Sequence, residues 1–417
     1  MHLPPEVWLE VFYWATYVSS DGLYTTKYLP FQAPRSYKIL DASLKVKAVV
    51  VRVCRQWRAL AMDMLYEDLR IRHGEQTLAG MLESCEERGR RVRRAELPYA
   101  NTVMTNQYLS SVAILRRCPE LEILVRPPPE SLGTLRFEFC AEGLPLTSLK
   151  RLEWWYVNDA ARSGGINSLD DVLSGTPNLQ YLSIGGDLLT GQLRPPPHLP
   201  ALTTLRLQRI NSTLMLQLSR WSLPALVHIV VDNARRDFAL QMLWETFGSQ
   251  IQTIELGKHV RFCVEDHIAS ILRYCTTLKE LNYHIYFTAP PPPDIVHSSL
   301  NTVRLHGQAN YLTSDHDDWE SLEYHFGLFS GPSLPSLKHI VLYGEWHTIL
   351  TDDRFTRIYR LLGARNCNLE LPDGTMISNN PRKFGFLSHC KSYFSITVLI
   401  GFSDLSIGQN GFVHGPI

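Results

Sequence analysis

Leu202-Thr203-Thr204-Leu205-Arg206-Leu207 is followed by Leu226-Val227-His228-Ile229-Val230-Val231, and then by Ile251-Gln252-Thr253-Ile254-Glu255-Leu256. Each stretch carries apolar residues at its first, fourth and sixth positions. The last two positions follow the two-residue period of a strand that buries one face. A strand this short is unstable alone, but copies laid side by side share a continuous core. The pattern extends in both directions. Before these three stretches stand Leu121-Leu124, Leu149-Leu152-Trp154 and Leu179-Leu182-Ile184, with Val92-Ala95-Leu97 as an atypical first copy. After them come Leu278-Leu281-Tyr283, Leu300-Val303-Leu305 and Leu337-Ile340-Leu342.

From Leu121 to Leu337 the anchors are 28, 30, 23, 24, 25, 27, 22 and 37 residues apart. This spacing resembles that of leucine-rich repeats, whose period is roughly 20–29 residues. The resemblance implies an α/β fold: an irregular solenoid over 76–372, with a parallel sheet on the concave side and helices on the convex side. Helical patterns between the strands agree, among them Tyr108-Val112-Leu115, Phe238-Met242-Leu243-Phe247, His267-Ile271-Leu272 and Phe355-Ile358-Tyr359-Leu362. Pro119 and Pro177 stop the chain from continuing as helix just before a strand. The Asn that commonly follows a repeat strand is mostly missing, which leaves its hydrogen-bond ladder in question. The long last step suggests an inserted loop from Ser314 to Pro335. Pro127 to Pro129, Pro195 to Pro197 and Pro290 to Pro293 read as stiff loops between repeats. Residues 373–417 are Gly- and Ser-rich without a period, and read as an irregular cap or tail.

The N-terminal 75 residues obey a different rule. Leu3-Pro4-Pro5-Glu6 opens a helix, with proline where its missing N–H has no partner and Glu6 at the positive end of the dipole. Val7, Val11 and Ala15 repeat every four residues, with Trp8 and Phe12 beside them. A second helical pattern runs from about Ser43 to Tyr66 and carries Val53, Cys54, Trp57, Leu60 and Ala61. Together LPPEVWLEVF and VRVCRQWRALA resemble the two halves of the F-box motif; Leu65-Tyr66-Glu67-Asp68-Leu69 resembles the segment just after that motif in fungal members. The resemblance implies a three-helix module that docks on a Skp-family adaptor and through it on a cullin. Its candidate adaptor-binding residues are Leu3, Pro4, Val7, Phe12, Val53, Cys54 and Trp57, some of which could instead form the module's own core. The halves normally lie about a dozen residues apart; here a loop of about 17–43 divides them.

Composition narrows the function. Lys plus Arg and Asp plus Glu are 41 each, so the basic excess of a nucleic-acid binder is missing. Arg88-Gly89-Arg90-Arg91-Val92-Arg93-Arg94 is the one basic run: an import signal, a patch for an acidic partner, or a solvated approach to the first strand. The eight dispersed Cys, with no CxxC, and an N-terminus unlike a signal peptide point to a reducing cytoplasmic or nuclear compartment. The apolar stretch Phe394 to Phe402 is far shorter than the ~20 residues of a membrane span. Nucleic acid and membrane are therefore not expected partners.

Motifs for phosphate binding, hydrolysis or metal capture are missing, so neither enzyme activity nor a cofactor is expected. Gly164-Gly165 and Gly185-Gly186 read as turns. Glu265-Asp266-His267 and His316-Asp317-Asp318 read as polar helix starts rather than acid/base or metal clusters.

The residues between the buried leucines should face a partner across the concave sheet. Chief among them are Trp155, Tyr181, Arg206, Gln208, His228, Glu255, His284, Arg304, His306 and Tyr343. Arg151, Glu153, Ser183, Thr204, Asp232, Thr253, Glu280, Asn282 and His339 share that face. Such a mixture of aromatic, His, Arg and acidic groups suits a protein surface. The combined expectation is a substrate receptor of a Skp-cullin-F-box ubiquitin ligase, holding a target protein on its repeats; the alternative is a repeat scaffold without ligase association.

Overall fold

The computed structural model describes residues 3–17, 25–32, 37–71, 76–97, 111–128, 144, 146–157, 166, 168–187, 196–209, 212–233, 239–257, 267–285, 292, 294–307 and 316–377. Most of the expected tail (373–417), together with Tyr108, Gly164-Gly165 and Glu265-Asp266, lies outside them.

Every repeat read from the sequence becomes a strand. β1 (Asp68–Arg70), β2 (Arg94–Glu96), β3 (Ile123–Arg126), β4 (Arg151–Val157), β5 (Tyr181–Asp187) and β6 (Thr204–Leu207) form the first half. β7 (His228–Val231), β8 (Thr253–Leu256), β9 (Glu280–His284), β10 (Thr302–Gly307), β11 (His339–Gly344) and β12 (Asn368–Glu370) complete it. They form one sheet in sequential order, each pair parallel. This is a leucine-rich-repeat solenoid. The register stacks like on like: Leu152, Leu182, Leu205, Ile229, Ile254, Leu281, Val303 and Ile340 form one continuous row across β4 to β11. Every member is buried. Against this row pack short amphipathic helices, including Ser212–Leu218, Ala239–Phe247, His267–Tyr274 and Asp353–Ala364. Their apolar sides, such as Leu214, Met215 and Leu218 or Leu240, Leu243, Trp244 and Phe247, are sealed.

Two strands escape the sequence pattern. β1 is built from the tail of the F-box-like motif, and β12 lies where the repeats fade. Successive strands are joined through the backbone at their starts. At each turn one carbonyl accepts the N–H groups of two successive residues of the next: Glu122 from Lys150 and Arg151, Lys150 from Gln180 and Tyr181, and onward to Asn301 from Lys338 and His339. This ladder satisfies backbone groups that would otherwise be buried unbonded.

The expected loop from Ser314 to Pro335 is instead mainly a helix, His316–Ser330. Leu322, Phe326 and Phe329, spaced four and three apart, are buried, and His325 hydrogen-bonds the buried Tyr283 hydroxyl at 2.9 Å. The polar start of the segment hid that periodicity.

The module consists of α1 (Pro5–Thr16), α2 (Tyr37–Val53) and α3 (Arg55–Tyr66). The single helical pattern read from Ser43 to Tyr66 is thus two helices, broken at Cys54. Its backbone is extended (φ −158°, ψ 170°), and its Sγ accepts the Trp57 N–H at 3.4 Å, capping α3. Despite the intervening loop, the two halves of the motif pack together. Phe12, Val50 and Ala61 form their core, with Trp8, Val51, Trp57, Leu60 and Met64 against it. Ser43 Oγ donates to the Thr16 carbonyl at 2.7 Å, pinning α2 to the end of α1.

Candidate functional site

On α1 one stripe faces in and another faces out. Trp8, Phe12 and Thr16 pack inward, and Trp8 and Phe12 lie 4.7 and 4.8 Å from the Trp57 ring. Phe12, read as an adaptor contact, is only 1% exposed and therefore holds the core. Trp57 is half-buried in the same aromatic cluster. Leu3, Pro4, Val7, Val53 and Cys54 are exposed. Val11, Trp14 and Val49, which the motif does not mark, join them.

The face of the sheet expected to be concave is charged, buried and already covered. Arg206 forms a two-pronged pair with Asp232 at 2.6 and 2.8 Å, and Arg304 one with Glu280 at 2.9 and 2.8 Å. The Arg151 guanidinium lies 4.2 Å above the Tyr181 ring and pairs with Glu153. Burial pushes the Glu153 carboxyl up, but Arg151 and Arg94 outweigh it and hold the group below its ordinary range. Gln208 donates to Ser183 Oγ at 2.9 Å. Trp155 lies over Gly185, where an added Cβ would come within 2.6 Å of the ring, so only glycine leaves room. Gly185 and Gly186 are part of β5 rather than a turn between elements.

The cover is residues 25–32, from the middle of the insertion that divides the F-box-like motif. Thr26 hydroxyl donates to Gln180 at 2.9 Å. The Tyr28 hydroxyl donates to Glu255 at 2.6 Å and accepts from Asn282 Nδ2 at 2.5 Å, while its ring stacks on His228. At Pro30-Phe31 the strap turns, with Phe31 at φ 54°. The Phe31 N–H donates to the same Glu255 oxygen at 2.7 Å. Its ring sits among His284, His306 and Tyr343 at 5.4, 5.2 and 5.0 Å. Two arginines grip the strap's backbone: Arg151 donates to the Thr25 carbonyl and Arg206 to the Gln32 carbonyl, each at 2.7 Å.

Six of the ten residues expected to contact a partner therefore contact the chain's own strap: Arg206, His228, Glu255, His284, His306 and Tyr343. Tyr181, Gln208 and Arg304 are engaged by their sheet neighbours. Burial beneath the strap drives the Glu255 carboxyl up to about 7, against the lowering pull of Tyr28, the Phe31 amide and Arg206. Burial likewise depresses the His228 imidazole. Tyr28 and Phe31 were not anticipated, although an apolar Tyr28-Leu29-Pro30-Phe31 inside a polar insertion was there to be read.

The arginines of the basic run have neighbours of their own. Arg88 lies 5.6 Å from the centre of the Tyr66 ring. Arg90 pairs with Glu86, Arg91 with Glu87 and Asp63, and Arg93 with Glu120 and Glu122. Arg94 is buried between Asp68 and Glu96. Among the described residues, no group of three or more His, Cys, Asp or Glu could hold a metal ion, and no helix is long and apolar enough to cross a membrane. The described cysteines are unlinked, and burial raises the Cys118 and Cys275 thiols to about 12.

No family model and no curated protein matches this chain. Among solved structures it is similar to the leucine-rich-repeat-containing protein LegL7 of Legionella pneumophila, at 14% identity and a TM-score of 0.40, over 75% of this chain and 92% of that one. A Bacteroides fragilis protein is similar at 14% identity and a TM-score of 0.31, over 63% and 69%. An internalin of Listeria monocytogenes is similar at 12% identity and 0.26, over 71% and 93%. The solenoid assignment rests on the strand order and register, not on these likenesses.

Proposed function

We propose that this chain is a target-binding adaptor whose N-terminal module (1–75) docks on a Skp-family adaptor, and through it on a cullin, while its repeats (76–372) hold a protein for ubiquitination. The observation that supports it is the two-sided α1: Trp8 and Phe12 close the module, while Leu3, Val7, Val11 and Trp14 stay exposed, as do Val49 and Val53 on α2. Catalysis would belong to another subunit, and this chain would act by raising the local concentration of target near it.

Substituting the exposed residues tests docking without touching the core. Val7→Asp combined with Val53→Asp is expected to abolish adaptor binding in a pull-down or by calorimetry, with an unchanged thermal melt. Undiminished affinity in a folded double variant would reject the docking surface. The alternative reading is a repeat scaffold without ligase association. It is favoured by the insertion between the motif's halves, which is engaged with the chain's own sheet.

A further inference from the structure

The strap is bound in the manner of a ligand. Its backbone is held at both ends, at the Thr25 and Gln32 carbonyls by arginines and at the Phe31 amide by Glu255. Such contacts do not depend on the side chains of the residues held. Two side chains are read individually: the Tyr28 hydroxyl between Glu255 and Asn282, and the Phe31 ring among two histidines and a tyrosine. Main-chain capture for affinity, with side-chain sites for specificity, is how extended peptides are recognised.

The fit is also incomplete. Phe31 occupies the left-handed region, which a bulky residue adopts only under strain. Asn282 Oδ1, Thr204 Oγ1 and His228 Nδ1 find no hydrogen-bond partner among the described residues, a cost that permanent packing would be expected to remove. A core built only to be closed would use apolar side chains. Here Glu255 is buried without an ion-pair partner among the described residues, since the Arg206 prongs go to Asp232.

We propose that the concave face is a receptor for a peptide segment that carries a tyrosine and, three residues later, a phenylalanine at which its backbone turns, and that Thr25–Gln32 is a tethered copy of such a ligand that a target displaces. This rests on the reading that the repeats capture a target protein, and is independent of ligase docking. The tyrosine must be unphosphorylated, because a phosphate would meet the Glu255 carboxyl at 2.6 Å from the hydroxyl. Tethering gives the strap an effective concentration on the order of millimolar, so a free peptide competes poorly until the strap is weakened.

The test uses the full chain and a fluorescent synthetic peptide with the sequence of residues 25–32. Tyr28→Ala with Phe31→Ala should bind that peptide at least about tenfold more tightly than the unaltered chain does. Adding Tyr343→Ala, or phosphorylating the peptide's tyrosine, should remove the gain. A folded double variant that binds no more tightly than the unaltered chain overturns the proposal. If that variant fails to fold, Tyr28→Phe decides: it keeps the ring on His228, deletes one hydroxyl, and should tighten peptide binding several-fold. No tightening there overturns the proposal as well. Adaptor affinity measured in the same variants separates the two readings. Retained adaptor binding without peptide binding rejects only the peptide receptor, and peptide binding without adaptor binding rejects only the docking.

Discussion

Glu255 shows how one residue can couple the strap to pH. Its carboxyl rises from an ordinary 4.5 to about 7, burial being the main cause, with Asp232 adding to it and Tyr28, Phe31 and Arg206 opposing it. The closed state therefore holds a proton that the open state gives up between these two values. Stability from this group is complete below about 4.5 and is lost as pH rises through about 7. His228 works the other way: burial depresses it, so its contribution falls as pH drops below its ordinary 6.5. Hydrogen exchange at the Phe31 amide is expected to show an opening free energy that declines from pH 5 to 8, and Glu255→Gln should flatten that decline. An unchanged slope in the variant would detach the effect from Glu255. Phe12 belongs to the same scale. Because it is sealed in the module, Phe12→Ala should cost about 3–5 kcal/mol of module stability in a denaturant titration, rather than act as a simple loss of contact.

At the level of elements, helices end where the sequence supplies the device. Cys54 breaks the long pattern into α2 and α3, and Asp352 caps Asp353–Ala364 by accepting the Arg354 N–H at 2.9 Å. Asp352→Ala is expected to cost about 1 kcal/mol, read as a lower urea midpoint with an unchanged slope. The strap is the element that periodicity could not reveal. It has no regular hydrogen bonding of its own, and its conformation is supplied by residues more than a hundred positions away, such as Gln180 and Glu255.

Across the whole molecule, stability is the sum of neighbouring turns. Leu205, fully buried in the central row between Leu182 and Ile229, touches strands on both sides. Leu205→Ala is expected to cost about 2–5 kcal/mol. In a one-dimensional array the loss should spread to adjacent turns first, so amide protection should fall in β5 to β7 before the end strands. Uniform loss along the sheet would contradict that.

The repeat strands, their alternation of buried and concave positions, and the amphipathic helices behind them were legible in the residues alone, because each depends on apolar spacing within a few positions. Leu202, Leu205 and Leu207 carry that information locally. The helical character of the N-terminal residues was legible for the same reason, though not the break at Cys54. Which side of α1 seals the core and which stays in water was decided by the neighbouring helices. That Tyr28 and Phe31 cover the polar face of the sheet was decided only by tertiary structure, since hydrogen bonds between residues 227 positions apart leave no local period to read.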